Sequence, residues 1–183
     1  MRLLLHICCA PCATAIVEKF LTESDMMIEG FFYNPNIHPI EEYEKRKLSV
    51  IKMSNEYNFN VKYEDENKLE YWKNSLGNDK ILRCNVCYSL RLNAAAKFAK
   101  ENSFSAFTTS LLISPYQNHE FIKSMGQAIA DKYGIKFYYE DFRELYRKGR
   151  ETSRGRQYYM QKYCGCFYSY SESDHPKKPV YGF

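Results

Sequence analysis

Short apolar runs alternate along the chain with longer stretches in which apolar residues recur every three or four positions. The short runs predict strands at 2–7, 28–33, 60–63, 105–112 and 136–139. The periodic stretches predict helices at 12–23, 41–57, 89–101 and 118–133, and Gly134 follows the last of them as a typical helix stop. Helical and irregular structure is expected beyond the last strand. Such alternation predicts a single α/β domain over 1–183, with a mostly parallel, Rossmann-like sheet of about five strands flanked by helices.

The residues that can carry chemistry follow the predicted strands. Three cysteines come directly after the first strand, a polar turn with His38 after the second, and Asp141 after the fifth. In an open parallel sheet, ligands bind outside the carboxyl ends of the strands. We therefore expect these residues to meet at one edge of the sheet.

The seven cysteines fall into three groups: Cys8, Cys9 and Cys12; Cys84 and Cys87; Cys164 and Cys166. Thiolates are soft ligands that suit zinc, copper(I) and iron–sulfur centres. Two C-x-x-C pairs and a C-G-C sequence together predict a metal centre, with buried structural thiols as the alternative. Neighbouring side chains usually point apart, so we expect Cys8 and Cys9 to serve different centres.

The number of thiols separates two kinds of metal site. A structural zinc site closes with four ligands, and a four-iron cluster also takes four thiolates. Four of the seven thiols would complete either site, and the three that remain favour a redox centre with a second metal over a structural zinc site. An odd cysteine count, with no export signal, also predicts a disulfide-free cytoplasmic protein. No run of about 18 apolar residues predicts a membrane span.

A hydroxyl- and amide-rich loop follows the fourth strand and opens the next helix. It contains Thr109, Ser110, Tyr116 and Gln117. Helix N-termini bind anions and polar groups, so these side chains are candidates for substrate binding. An ordinary turn capped by Asn118 is the alternative.

Several further side chains have a catalytic and a structural interpretation. His38 can donate a proton or bind a phosphate, or be an exposed turn histidine. Asp141 can ligate iron or act as a general acid, or cap a helix. His6 is expected to be a satisfied core histidine, and Glu41, Glu42 and Arg46 are expected to belong to a solvated helix face.

The basic charge of the chain is concentrated in one tyrosine-rich segment. Residues 143–178 hold nine Lys/Arg and four Asp/Glu, whereas the whole chain has a net charge of +4. Basic side chains can follow phosphates, and tyrosine rings can stack on unpaired bases. This pattern favours an RNA surface that includes Arg143, Arg154 and Arg156, with tyrosines packed on the sheet as the alternative.

Four segments resemble the QueH-type epoxyqueuosine reductases: 6–12 (HICCAPC), 83–92 (RCNVCYSLRL), 108–117 (TTSLLISPYQ) and 161–166 (QKYCGC). The resemblance covers nearly the whole chain, and the cysteine positions agree throughout. It implies a PP-loop- or HUP-like sheet and reduction of epoxyqueuosine at the wobble position of tRNA. It also implies a 4Fe-4S cluster beside a mononuclear iron, and an electron donor that remains unidentified. The first loop is cysteine-rich where PP-loop enzymes carry S-G-G-x-D-S, which argues against ATP use.

Two alternatives belong to other classes. One is an RNA-binding module stabilised by zinc, without catalysis. The other is a thiol-based or ATP-dependent tRNA-modifying enzyme of the PP-loop type. Iron and sulfide content separates the first alternative from a reductase, and nucleotide binding would favour the second.

Overall fold

The computed structural model describes residues 1–23, 25–65 and 79–173. Its five-stranded sheet contains β1 (Arg2–His6), β2 (Met27–Tyr33), β3 (Val61–Glu64), β4 (Ala106–Thr109) and β5 (Lys136–Phe137). All neighbouring strands are parallel, and their order is β3-β2-β1-β4-β5. The predicted α/β fold with a parallel sheet of this size is confirmed.

The described helices are α1 (Ala10–Glu23), α2 (Ile40–Tyr57), α3 (Lys80–Glu101), α4 (His119–Tyr133), α5 (Tyr146–Gly155) and α6 (Phe167–Ser171). Short 3₁₀ turns occupy Ser110–Ile113 and Arg143–Leu145. Right-handed crossovers place α1 and α2 on one face of the sheet and α3 and α4 on the other. The packing agrees, since α1 contacts α2 and α5, whereas α3 contacts α4.

The core lies between the sheet and these two helical layers. Leu3, Leu4 and Leu5 of β1 are all fully buried, because both faces of the central strand are covered. Phe31 of β2 stacks on Phe98 of α3 with 4.7 Å between ring centroids. A rigid central strand therefore holds the turn that follows it.

The strand order reverses between β1 and β4. The chain passes from β1 outward to β2 and β3, and then returns to β4 on the other side of β1. A crevice opens beyond the carboxyl ends of the strands at such a point, and ligands bind there. The turn after β1 and the loop after β4 meet at this crevice.

Two predicted boundaries were wrong by three residues or more. Helix α3 begins at Lys80 rather than at 89, because the Asp79 carboxylate accepts a hydrogen bond from the Leu82 amide at 3.0 Å and caps it. Strand β4 ends at Thr109 rather than at 112. The Thr109 hydroxyl accepts a hydrogen bond from the Leu111 amide at 3.2 Å, and this local bond starts a 3₁₀ turn instead of continuing the ladder.

The predicted limits of α4 are confirmed. Asn118 accepts a hydrogen bond from the Phe121 amide at 3.1 Å, and Gly134 ends the helix with a left-handed φ of 60°. Within the described ranges, no helix is long and apolar enough to cross a bilayer. Residues 174–178 of the basic segment lie outside the described residues.

Candidate functional site

Three buried thiols lie together in the turn from β1 into α1. The sulfur atoms of Cys8, Cys9 and Cys12 all lie within 4.8 Å of one another, close enough to hold one metal ion. Cys8 Sγ and Cys9 Sγ are 3.7 Å apart, so the expectation that these neighbours point apart was wrong. The chain coils into α1 immediately after Cys9, and this turn brings both side chains to the same side.

Two residues from distant segments hold these three thiols, here called the thiol trio. The Ser110 hydroxyl accepts a hydrogen bond from the Cys8 amide at 3.0 Å and donates one to Cys8 Sγ at 3.3 Å. Gln161 Nε2 donates to Cys9 Sγ at 3.0 Å. The loop after β4 and the segment before Cys164 therefore both reach the turn after β1.

Hydrogen bonds among the three thiols divide their acidities. Donation from Cys12 and Cys9 holds the pKa of Cys8 well below its usual range. Donation to Cys8 raises the pKa of Cys12, and burial raises that of Cys9. One thiolate stabilised by two thiols is a preformed soft donor set for a cation.

The other four cysteines form a second set, here called the thiol quartet. Cys84, Cys87, Cys164 and Cys166 line one small cavity. Cys84 and Cys87 lie one turn apart on α3, in the part of this helix that precedes its predicted start at residue 89. Among the described residues, only the thiol trio has three or more ligand atoms all within 4.8 Å of one another. The sulfur atoms of the quartet are therefore spread more widely than those of the trio.

Arg46 fastens the loop that carries Cys164 and Cys166. Its guanidinium donates to the carbonyl oxygens of Cys164 and Tyr163, each at 2.9 Å, and to Glu42 Oε1 at 2.7 Å. Arg46 and Glu42 are buried, so the predicted solvated helix face was wrong for both. The reason is tertiary, since the segment before α6 folds over this face of α2 and covers it.

A cavity of about 430 Å³ opens beside both thiol sets. Its volume lies within the range of small-molecule sites, about 300–1,000 Å³. Its lining includes Cys8 and Cys12 from the trio and Cys164 from the quartet. The described lining also includes four cationic side chains and no carboxylate: Arg46, Arg91, Arg150 and Lys162. The cavity is therefore basic and sulfur-lined.

Tyrosine side chains form part of the cavity wall. Tyr116 is 81% exposed, and its ring lies 6.1 Å from that of Tyr146 in an edge-to-face arrangement. The Arg150 guanidinium lies 5.6 Å from the centre of the Tyr146 ring. Aromatic faces beside cations can hold a nucleobase next to its phosphates.

The hydroxyl-rich loop after β4 divides between the cavity and the core. Ser110, Tyr116 and Gln117 line the cavity. Thr109 is fully buried, and its hydroxyl lies 2.9 Å from His6 Nδ1. His6 Nε2 lies 3.1 Å from the Tyr33 carbonyl oxygen, which confirms the prediction of a satisfied core histidine.

Asp141 and His38 lie outside the described lining of the cavity. Arg143 hydrogen-bonds the Asp141 carboxylate and lowers its pKa to about 2, so Asp141 is ionised at neutral pH. The His38 backbone is joined to the thiol loop: its amide donates to the Gly165 carbonyl at 2.7 Å, and its carbonyl accepts from the Tyr163 hydroxyl at 2.6 Å.

The basic segment is only partly directed at the cavity. Arg150 and Lys162 line it, whereas Arg156 pairs with Glu56 at 3.1 Å on the surface. Arg154 is exposed at the end of α5. Tyr158 is buried and belongs to the core. It therefore follows the alternative in which tyrosines of this segment pack inside the protein rather than bind RNA.

Sequence reasoning missed three residues of the site: Arg46, Arg91 and Gln161. Arg91 follows Cys87 by four residues and Cys84 by seven, which is the spacing of one helix face. That signal was hidden because the helix was predicted to begin at residue 89, after both cysteines. Arg46 and Gln161 act through contacts between distant segments. Gln161 lies in the segment 161–166 that resembles the family, but that likeness does not indicate its contact with the thiol trio.

The family model described as "Epoxyqueuosine reductase QueH" matches residues 3–172. The protein of this name from Dehalococcoides mccartyi is 37% identical over 181 residues, covering 98% of this chain and 98% of that protein. The one from Thermotoga maritima is 36% identical over 178 residues, covering 92% and 90%. A crystal structure of zinc-inhibited teicoplanin deacetylase Orf2 aligns with a TM-score of 0.51 at 10% identity, covering 75% of this chain and 66% of that one. This last likeness concerns the fold alone.

Proposed function

The chain belongs to the epoxyqueuosine reductase QueH family, and we propose that its two thiol sets hold the metal centre with which it reduces epoxyqueuosine in tRNA to queuosine. The reaction removes the epoxide oxygen and leaves a cyclopentene. It consumes two electrons and two protons, and the oxygen leaves as water. The observation that carries the proposal is that Cys8, Cys12 and Cys164, from both sets, line one basic, tyrosine-walled cavity.

The two thiol sets suit two different metal groups. The thiol quartet offers the four thiolates that a 4Fe-4S cluster takes, and its sulfurs are not as compact as those of a single-ion site. The thiol trio is compact enough for one ion and would supply three thiolate ligands to the mononuclear iron. We therefore propose the cluster on the quartet and the second iron on the trio.

The cavity is proposed to receive the modified nucleoside of the tRNA anticodon. Its volume of about 430 Å³ suits one nucleoside rather than a folded RNA. Tyr116 and Tyr146 would stack on the base, while Arg150 and Lys162 would meet the adjoining phosphates. Gln117 and Ser110 would orient the polar edge of the bound group. The remaining basic residues, Arg143, Arg154 and Arg156, would follow the RNA backbone outside the cavity.

The metal groups, when bound, would supply electrons one at a time and a Lewis acid for the epoxide oxygen. The protein would hold the thiols in place through Ser110 and Gln161, which already hydrogen-bond the trio. Asp141 would act as a carboxylate oxygen donor rather than as an acid, because its pKa of about 2 leaves it ionised at neutral pH. His38 is the proposed proton donor, and its backbone contacts with 163–165 keep it next to the thiol loop.

Anaerobic reconstitution with iron and sulfide tests this proposal directly. We expect about five irons and four labile sulfides per chain, the sum of one four-iron cluster and one further iron. The loaded protein should convert epoxyqueuosine-containing tRNA to queuosine-containing tRNA with a chemical reductant. Stoichiometric zinc without labile sulfide would contradict the proposed centre.

Two cysteine variants separate the two metal groups. Cys84→Ala should abolish the cluster spectrum and all turnover, because it removes a quartet ligand. Cys12→Ala should keep the cluster spectrum and four sulfides but lose the additional iron and turnover. A Cys84→Ala protein with an intact cluster would show that the quartet does not hold it.

A further inference from the structure

Helix α3 presents a cation beside the two cysteines that it contributes to the quartet. Cys87 follows Cys84 by three residues, and Arg91 follows Cys84 by seven. This spacing places all three along one face of the helix. The Arg91 side chain lines the small cavity of the thiol quartet and also the large cavity beside the thiol trio. Arg91 therefore lies where the two thiol sites adjoin.

Arg91 differs from the other buried arginines in its partners. Arg46 pairs with Glu42 at 2.7 Å, and Arg83 pairs with Glu172. Arg91 is 3% exposed, yet no carboxylate of the described residues forms an ion pair with it. Its Nε donates to the Cys87 carbonyl at 3.3 Å, and its Nη2 has no hydrogen-bond partner in the described part of the chain.

A buried cation without a counter-charge is costly. The described groups that interact electrostatically with Arg91 include the thiols of Cys87, Cys164 and Cys8 and the Tyr88 hydroxyl. These thiols belong to both sets. The negative charge that balances Arg91 must therefore come from what these thiols hold or become.

We propose that Arg91 is the shared counter-cation of the two thiol sites, a positioning residue that stabilises the reduced form of the bound centre. This inference rests on the proposed function, since it concerns the same site. It adds a role for a residue that supplies no metal ligand.

The physical basis is the charge added by reduction. Four thiolates already give a bound cluster a net negative charge, and each electron accepted from a reductant adds one more. A fixed guanidinium nearby favours the more negative state, and an Nη2–H donated to a thiolate sulfur acts in the same direction. Arg91 neither gains nor loses a proton or an electron in this step.

The experiment compares Arg91→Gln and Arg91→Lys with the native chain after anaerobic reconstitution. Iron and sulfide are measured first, and the midpoint potential is then followed by absorbance and paramagnetic resonance during titration with dithionite. We expect Arg91→Gln to load normally and to be reduced at a lower potential than the native chain. Arg91→Lys, which keeps the charge, should remain close to the native potential.

Lys97→Gln is the matched control. It removes one positive charge from the same helix, but Lys97 is 62% exposed and pairs with Glu101, so solvent screens it. Its potential should equal that of the native chain. A shift as large as that of Arg91→Gln would overturn the proposal, because it would reflect net charge alone.

Each remaining outcome also decides the question. An Arg91→Gln protein that loads fully and keeps the native potential overturns the proposal. If Arg91→Gln fails to load and Arg91→Lys loads, the required feature is the charge, and the proposal stands. If neither loads, the guanidinium shape is required and the proposal fails. The iron and sulfide content of the native chain tests the proposed function separately.

Discussion

At the scale of single residues, a glycine and an arginine are fitted to each other beside the quartet. Gly165 has a φ of 121°, a conformation that side chains rarely adopt. A Cβ at this position would lie 2.7 Å from Nη1 of Arg46. The Arg46 guanidinium cannot easily move away, because its nitrogens donate to three different acceptors. The close contact between the thiol loop and Arg46 therefore depends on the glycine.

Gly165→Ala is expected to destabilise the fold by about 1–3 kcal/mol, since it combines backbone strain with a displaced guanidinium. It should also reduce iron loading, because Cys164 and Cys166 flank the strained position. Thermal unfolding and iron analysis measure the two effects.

Gly155→Ala provides the matched control for this substitution. A Cβ at Gly155 meets nothing within 4 Å, so its stability should change by less than about 1 kcal/mol. Equal effects of the two substitutions would show that the Gly165–Arg46 contact does not hold the loop.

Asp141 is the second residue whose role can be tested alone. We expect Asp141→Asn to keep the cluster and to lower turnover up to about 100-fold, because an ionised carboxylate that tunes a metal site contributes an effect of this size. Single-turnover reduction of epoxyqueuosine-tRNA measures the effect. Glu144→Gln is the control, since it neutralises an exposed carboxylate three residues away and should keep the native turnover. Near-native turnover of Asp141→Asn would remove this residue from the mechanism.

At the scale of secondary structure, helix α3 orders half of the thiol quartet. Its first two turns carry Cys84 and Cys87, and its N-terminus depends on a single side-chain cap from Asp79. Three buried alanines on the same helix, Ala95, Ala96 and Ala99, lie against the sheet and anchor its later turns. Stability therefore rises along the helix, away from the cysteines.

Asp79→Ala should lower the free energy of unfolding by about 1 kcal/mol, the usual cost of a lost cap. We expect hydrogen exchange to quicken in the first turn of α3, where Leu82 would lose its bond. Asp79→Asn should behave as the native chain, since asparagine caps equally well. An unchanged exchange rate in the alanine variant would mean that the first turn is held by other contacts.

At the scale of the whole molecule, the basic cavity and both thiol sets lie beyond the carboxyl ends of the strands. The opposite edge begins with residues such as Lys136, which is exposed at the amino end of β5. The positive charges of the cavity and that of Lys136 therefore face opposite edges of the sheet. The part of the proposed RNA surface formed by Arg150 and Lys162 belongs to the edge with the cavity, whereas Arg156 pairs with Glu56 near the end of α2, which leads back towards the amino edge.

Arg150→Ala combined with Lys162→Ala should weaken tRNA binding by about 10-fold or more at low salt. It should also make the dependence of affinity on salt less steep, because fewer counterions are released. Titration of tRNA at several salt concentrations measures both quantities. Arg154→Ala with Arg156→Ala should have a smaller effect, since Arg156 already pairs with Glu56.

Lys136→Ala is the control for this experiment, because it removes a positive charge from the opposite edge of the sheet. It should leave both the affinity and the salt slope unchanged. If it weakens binding as much as the cavity variants do, the RNA surface is not confined to the carboxyl edge.

Local patterns in the sequence were enough to predict the α/β class, the parallel sheet, the limits of α4 to within one residue and the three cysteine groups. These features are local, since hydrophobic periodicity, helix caps and residue spacing act over a few neighbouring residues. The spacing of the thiols also carried the likeness to the family. The place of His6 in the core followed from its position inside a buried strand.

The division of the cysteines into two sets, and the residues that surround each set, became visible only in the folded chain. Cys164 and Cys166 join Cys84 and Cys87 because the segment before α6 crosses α2, where Arg46 binds its carbonyl oxygens. The buried, carboxylate-free setting of Arg91 likewise arises from elements far apart in sequence. Such contacts depend on chain crossings and burial, and no pattern within a short window of sequence records them.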